Sequence, residues 1–172
     1  PKMLISYPSA IPLGMGGKAE CFEFKSNYLF TEEEFIPNVN KFLPSGIRFS
    51  GLKRLKTLKP SLNKEIKTLI YSIDLNSREI KEALEAAAKE ENISSLGYFE
   101  KVEMLIDSFL AESQDEFIEK IFVDRRSGKL YLYIKHTTQK NISSQEIVRN
   151  VFGIKNPVYA MTREKILFKK SV

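Results

Sequence analysis

The positions of apolar and polar residues along this chain predict a mixture of strands and helices. Apolar residues at every second position predict strands over 2–7, 19–24, 47–58, 67–75, 117–123, 130–135 and 158–168. Apolar residues three and four positions apart predict helices that begin near residues 31, 77, 98 and 143. The first and last of these helices open with capping boxes, at 31–34 and 143–146. The two middle helical runs are either two helices separated by Gly97 or one long helix broken near 92–97.

The order of these elements indicates one arrangement used twice. Over 61–172 the order is βαββαβ, the ferredoxin-like pattern in which helices cover one face of an antiparallel sheet. Over 1–60 the order is strand, strand, helix, strand, which is the same pattern without its first strand and helix. We therefore predict an α+β fold of two ferredoxin-like modules. The module over 1–60 is truncated and contains a hairpin over 2–24, with a bulge at Gly51 in its last strand.

Composition favours a soluble protein from a reducing compartment, and we expect it in the cytoplasm. The chain has 172 residues, of which 42% are hydrophobic, and no apolar run approaches the ~20 residues that a membrane helix needs. We therefore expect no membrane association. Its one cysteine, Cys21, excludes an internal disulfide and any zinc or iron–sulfur site built from several cysteines of this chain. The first residue is Pro1 rather than Met, which indicates a piece of a longer protein.

Positive charge is concentrated in one stretch. The whole chain carries +5, whereas residues 48–67 hold seven basic residues against the single acid Glu65 and therefore carry +6. The seven are Arg48, Lys53, Arg54, Lys56, Lys59, Lys64 and Lys67. This distribution predicts a polyanion-binding patch, with RNA as the polyanion, and a plain solvated surface is the alternative. The neighbouring Phe49 is either a stacking platform for bases or a core residue.

The connection between the first two strands is a candidate partner loop. Its central residues are Pro12, Leu13, Gly14, Met15, Gly16 and Gly17. Backbone amides of glycine-rich loops bind phosphates, but this loop lacks the following Lys-Ser/Thr and no helix follows it directly. A structural turn is therefore the other interpretation, and contact with a partner protein is the functional one.

No combination of residues indicates catalysis or metal binding by this chain. Cys21 is expected to be a small buried side chain rather than a nucleophile. His136 is the only histidine, so it forms neither a triad nor a metal site with other histidines, and we expect an exposed or capping role. The three glutamates at 32–34 compensate a helix dipole.

Four short segments follow one another in a characteristic order: PKMLIS at 1–6, IPLGM at 11–15, AECF at 19–22 and LPSGI at 43–47. In order and spacing they resemble the radical-SAM-linked protein family, the domain of unknown function DUF2344. The resemblance is specific over 1–60 and looser afterwards, where MTR at 161–163 resembles the family's closing strand. The chain departs from the family in lacking an Asp-x-Arg-Pro stretch near 114–117.

The resemblance implies a domain that is fused to a radical SAM protein or encoded beside one. It implies that the family's opening strand and Arg-rich helix lie upstream of Pro1. This chain is expected to hold no cofactor, whereas the partner carries a 4Fe–4S cluster, S-adenosylmethionine and cobalamin. Because family genes tend to lie near ribosomal and RNA-processing genes, we expect a non-catalytic accessory or substrate-binding domain in RNA or ribosome-related metabolism. The alternative is an RNA-binding module that uses residues 48–67.

Overall fold

A computed structural model describes residues 5–55, 62–113, 116–137 and 143–169. Helices and strands are mixed in these residues, and the fold is α+β, as the sequence predicts. No helix in these ranges is both long enough and apolar enough to cross a membrane.

The N-terminal part contains the predicted hairpin and a third short strand. β1 (Ile5–Ser6) pairs antiparallel with β3 (Glu23–Phe24), which confirms the hairpin in the part that the structure describes. Between them lies β2 (Gly16–Gly17), which pairs with neither. The hairpin strands are shorter than predicted.

Helix α1 (Glu32–Asn40) follows the hairpin and begins at the predicted capping box. The Thr31 hydroxyl accepts a hydrogen bond from the backbone N–H of Glu34 at 3.2 Å. Three acidic residues occupy the first turn, where they stabilise the positive end of the helix dipole. Pro37 lies inside the helix.

The strand predicted over 47–58 is wrong for residues 47–55, which are irregular. Asn40, at the end of α1, explains why. Its amide donates to the Phe49 carbonyl at 3.0 Å, and its side-chain oxygen accepts from the Phe49 N–H at 2.8 Å. These bonds use the two backbone groups with which Phe49 would join a sheet. Because no strand forms there, the bulge predicted at Gly51 is also wrong.

The rest of the described chain forms the ferredoxin-like pattern. Its elements are α2 (Leu62–Glu65), β4 (Ile66–Asp74), α3 (Arg78–Glu90), α4 (Tyr98–Glu112), β5 (Ile118–Asp124), β6 (Lys129–Lys135), α5 (Ser144–Phe152), a 3-10 turn (Pro157–Ala160) and β7 (Met161–Phe168). Strands β4 to β7 pair antiparallel in the order β7-β4-β6-β5. The predicted βαββαβ order is thus confirmed in this part, and the boundary predicted between residues 60 and 61 stays a prediction.

The helix ends follow the local sequence signals. Gly97 is the N-terminal cap of α4, as its separating position predicts. Gly153 ends α5 with a left-handed backbone (φ 69°), which glycine adopts without a steric cost. The Ser143 hydroxyl caps α5, but it accepts from the N–H of Gln145 rather than from that of Glu146.

The sheet has a fifth strand, which the sequence did not predict. β2 pairs in parallel with the outer edge of β7, with Gly16 opposite Thr162 and Gly17 opposite Arg163. A side chain at residue 16 would meet the Thr162 Oγ1 at 3.0 Å, so glycine suits this close approach. Met15 is buried in the core beside it. We call residues 8–21, which attach to the sheet in this way, the arm.

The core lies between the sheet and helices α3, α4 and α5. Its strand residues alternate along the chain, because successive side chains of a strand point to opposite faces. The central ones are Leu69, Tyr71, Ile73, Leu130, Leu132 and Ile134. We call the opposite face of the sheet, which contributes no described residue to this core, the open face.

Candidate nucleic-acid interface

Three aromatic side chains lie together on the open face. Tyr131 and Tyr133 alternate with core leucines on β6, and Phe122 lies opposite Tyr131 on β5. The Phe122 and Tyr131 rings are stacked with centroids 5.1 Å apart, and the Tyr133 ring is 6.1 Å from Phe122. The Lys120 ammonium lies over Phe122, 4.6 Å from the ring centre. All three rings are half-buried, and we call them the aromatic platform.

The platform was missed at the sequence level, although a signal was present. The β6 sequence KLYLYIK places Leu and Ile on one face and Tyr and Lys on the other. Two tyrosines between two lysines on the second face of a strand are typical of a surface that binds a ligand.

The other half of the open face is polar and centres on Glu164. Its carboxylate accepts from the Ser72 hydroxyl at 2.6 Å and pairs with the Lys18 ammonium at 2.8 Å. Lys129 Nζ lies 3.5 Å away. Partial burial acts to raise the pKa of Glu164, but hydrogen bonds from Lys18 and Ser72 lower this pKa overall. The carboxylate is therefore ionised at neutral pH.

A buried ion pair fixes the arm, and hence Lys18, to the sheet. The Arg163 side chain is only 1% exposed. Its Nε donates to Glu20 at 2.8 Å, a second guanidinium nitrogen also contacts the Glu20 carboxylate, and the guanidinium donates to the Ser9 carbonyl at 2.8 Å. Burial acts to lower the pKa of Arg163, but the Glu20 carboxylate raises it overall. Residues 143 positions apart are thus joined.

The structure separates the predicted basic residues. Arg48, Lys53 and Arg54 are exposed in the irregular segment after α1, whereas Lys64 lies in α2 and Lys67 in β4. Lys56 and Lys59 lie outside the described residues. The seven therefore do not share one strand, and their binding of a polyanion stays a prediction.

Phe49 is half-buried and packs against other aromatic rings of the chain rather than standing free as a stacking platform, although it lies outside the core under the main sheet. Its ring packs edge-on against Phe22, with centroids 5.2 Å apart, and lies 6.2 Å from Phe35. These contacts hold the irregular segment against the hairpin and α1.

The predicted partner loop divides into an attached and an exposed part. Met15 is buried, and Gly16 and Gly17 form β2. Pro12, Leu13 and Gly14 are exposed, with Leu13 wholly so, and the Met15 N–H closes their turn on the Pro12 carbonyl at 3.1 Å. The loop thus binds the chain's own sheet, and contact of its tip with another protein stays a prediction.

The two residues with reactive side chains have ordinary structural surroundings. Cys21 packs partly buried against the core, and burial raises the pKa of its thiol. His136 Nε2 lies 2.7 Å from the Asn63 side-chain oxygen, and partial burial lowers its pKa. Within the described ranges no three His, Cys, Asp or Glu side chains are grouped to hold a metal ion.

The fold and this face define an α+β protein with a ferredoxin-like sheet whose second face carries three half-buried aromatic rings. A family model described as an uncharacterized protein conserved in bacteria, DUF2344, matches residues 1–108, and the chain belongs to this family. The match includes the arm and β4 but ends before the aromatic platform. No curated protein and no solved structure matches the chain.

Proposed function

We propose that this chain is a non-catalytic substrate-binding domain that holds single-stranded RNA on its open face. The observation that supports this function best is the aromatic platform. Unpaired bases stack on aromatic side chains of exposed sheets, and each stacked base contributes roughly 1–3 kcal/mol of binding free energy. Phe122, Tyr131 and Tyr133 supply such rings on neighbouring strands.

Lysines on the same face supply the charge that a nucleic acid needs. Lys120 and Lys135 are exposed beside the platform, and Lys18 and Lys129 flank Glu164. Ammonium groups that contact phosphates release counterions, so RNA affinity falls as the salt concentration rises.

Fluorescence anisotropy with a labelled RNA single strand of about ten nucleotides tests the proposal. Tyr131→Ala and Tyr133→Ala should each weaken binding about tenfold, because each removes a stacking surface. Tyr28→Ala and Tyr159→Ala are matched controls, since both tyrosines are exposed (78% and 76%) and lie outside the platform. Equal affinity of the platform variants and the controls, or no RNA binding at all, contradicts the proposal.

In this proposal the domain presents RNA to a radical SAM enzyme in the cytoplasm. The partner carries the 4Fe–4S cluster, S-adenosylmethionine and cobalamin that the resemblance implies. This chain cannot hold the cluster itself, because its one cysteine cannot supply the thiolates. The support is the resemblance of the four N-terminal segments. Co-expression with the radical SAM protein encoded beside it should give one complex in size-exclusion chromatography. Separate elution of the two proteins contradicts this part of the proposal.

The basic segment is a second candidate for the RNA site. Arg48, Lys53 and Arg54 are exposed and form no ion pair with the described residues. Lys53→Glu with Arg54→Glu should then reduce RNA affinity more than the platform variants do. Lys81→Glu with Lys89→Glu, on the exposed side of α3, is the matched control for charge. If both reversals act equally, the segment contributes only general charge and this candidate is excluded.

A further inference from the structure

We infer that Glu164 accepts a hydrogen bond from a ribose 2′-hydroxyl, so that the open face binds RNA in preference to DNA. This inference rests on the proposed RNA-binding function and adds the group that distinguishes the two nucleic acids. The chemical character of the side chains on the open face changes in a definite order from one edge of the sheet to the other.

One row of residues crosses all five strands of the open face. The pairing registers place Phe122, Tyr131, Ser72, Thr162 and Gly16 opposite one another in that order. The row begins with two aromatic rings, continues with two hydroxyls and ends with a residue that has no side chain. Because neighbouring strands lie about 4.8 Å apart, the row spans about 19 Å.

This order orients a bound nucleotide. A base stacks on the rings at the β5 and β6 end, so its sugar lies over the hydroxyls of Ser72 and Thr162. The phosphate then comes near Lys18, which lies two residues beyond Gly16 along the same strand edge. The polar half of the face is thus the sugar-phosphate half.

Glu164 has the chemistry to recognise a ribose at this place. Its carboxylate is ionised and can only accept hydrogen bonds, and a 2′-hydroxyl is a donor that DNA lacks. Oε1 already accepts from the Ser72 hydroxyl at 2.6 Å and from Lys18 at 2.9 Å, whereas Oε2 has Lys18 alone, at 2.8 Å, as its partner among the described residues. Since a carboxylate oxygen accepts two hydrogen bonds, Oε2 retains one position.

The two lysines explain how a carboxylate is tolerated beside phosphates. A lone carboxylate would repel the nucleic-acid backbone. Here Lys18 and Lys129 flank Glu164, so the group of three carries a net charge of +1 at neutral pH. The lysines therefore attract a phosphate while the carboxylate faces the sugar.

Comparing the affinities for RNA and DNA in the same binding assay tests the inference. The probes are an RNA single strand and a DNA strand of identical sequence with deoxyuridine in place of uridine, so that only the 2′-hydroxyl differs. The wild-type chain should bind the RNA about tenfold more tightly, because a hydrogen bond to a charged acceptor is lost with DNA. This comparison needs no variant and so does not depend on the folding of one.

The Glu164→Ala variant should bind RNA and DNA with equal affinity. It should bind DNA at least as tightly as the wild-type chain does, because a negative charge is removed. Glu119→Ala is the matched control. Glu119 is also a carboxylate on the open face, but it accepts from Thr68 at 2.9 Å, whereas Glu164 accepts from Ser72 of the row. This control should keep the tenfold preference for RNA.

Two results separate this inference from the function on which it rests. The inference alone is overturned if the wild-type chain binds RNA and DNA with equal affinity while Tyr131→Ala still weakens RNA binding. It is also overturned by a preference for RNA that survives Glu164→Ala. Failure of the wild-type chain to bind either strand overturns the proposed function, and the inference with it.

Discussion

The part of the chain before residue 56 and the part after residue 61 are both rich in large apolar residues, but only the second buries them. Among the buried hydrophobic residues of the described chain, Met15 alone lies in the first part. Nine of the thirteen large hydrophobic residues that are exposed also lie there: Ile5, Tyr7, Leu13, Tyr28, Leu29, Phe30, Phe42, Ile47 and Leu55. The second part has a continuous sheet under three helices, and the first has only two-residue strands.

Different interactions therefore stabilise the two parts. In the first part, aromatic rings contact one another: Phe24 is stacked on Phe35 at 5.4 Å, and Phe22 is edge-on to Phe49 at 5.2 Å. Such a pair contributes about 0.5–1.5 kcal/mol beyond its buried area. In the second, fully buried aliphatic side chains each contribute several times more. Similar apolar content therefore gives a core only where a sheet offers a surface that helices can cover.

Truncating one apolar side chain in each part should give the largest difference. Leu132→Ala, at a site that is 0% exposed, should reduce the free energy of unfolding by about 3–4 kcal/mol, because it leaves a cavity in the core. Phe42→Ala, at a site that is 86% exposed, should change it by less than about 0.5 kcal/mol. Urea denaturation of both variants checks this. Similar losses would mean that Phe42 is covered in solution.

The elements that the sequence predicted well are those whose signals are local. The strand over 67–75 and the helix capped by Ser77 follow from side-chain periodicity and a capping hydroxyl, and both form. The irregular segment 47–55 was mistaken for a strand, because its alternation is visible whereas the side-chain bonds from Asn40 to Phe49 are not.

The site depends on contacts that no local pattern contains. Two glycines give no periodicity, so the pairing of β2 with β7 was not predictable from them. The pairs that place the arm, Arg163 with Glu20 and Glu164 with Lys18, join residues more than 140 positions apart. Only the aromatic platform had a local signal, the alternation of β6, and the sequence analysis did not use it.

Breaking the buried ion pair tests whether the contacts of the arm with the sheet stabilise the second part. Glu20→Ala should reduce the free energy of unfolding by about 2–3 kcal/mol, because it leaves the buried Arg163 guanidinium without its carboxylate. Lys18→Ala removes a pair whose lysine is 57% exposed and should cost less than about 1 kcal/mol. Thermal and urea unfolding measure both. Equal losses would contradict a structural role of Arg163 in holding the arm.

The smallest effect concerns Tyr98, which connects α4 to the end of β4. Its hydroxyl donates to the Leu75 carbonyl, and burial, with smaller contributions from Asp74 and Glu85, raises its pKa from 10 to about 12. The fold therefore favours the neutral phenol, and this stabilisation is complete below pH 10 and is lost as the pH rises through about 12.

Tyr98→Phe should thus cost about 1 kcal/mol at pH 7, where it removes one hydrogen bond. The difference between the wild-type chain and this variant should shrink above pH 10, because only the wild-type chain then has a phenol to ionise. Urea midpoints at pH 7, 9.5 and 11 follow that difference. Tyr28→Phe, at a site that is 78% exposed, controls for general alkaline destabilisation and should show almost no difference at any pH. A Tyr98→Phe difference that stays constant to pH 11 would show that the hydroxyl is as well solvated in the fold as in the unfolded chain, and that Tyr98 resembles the exposed tyrosines of the first part.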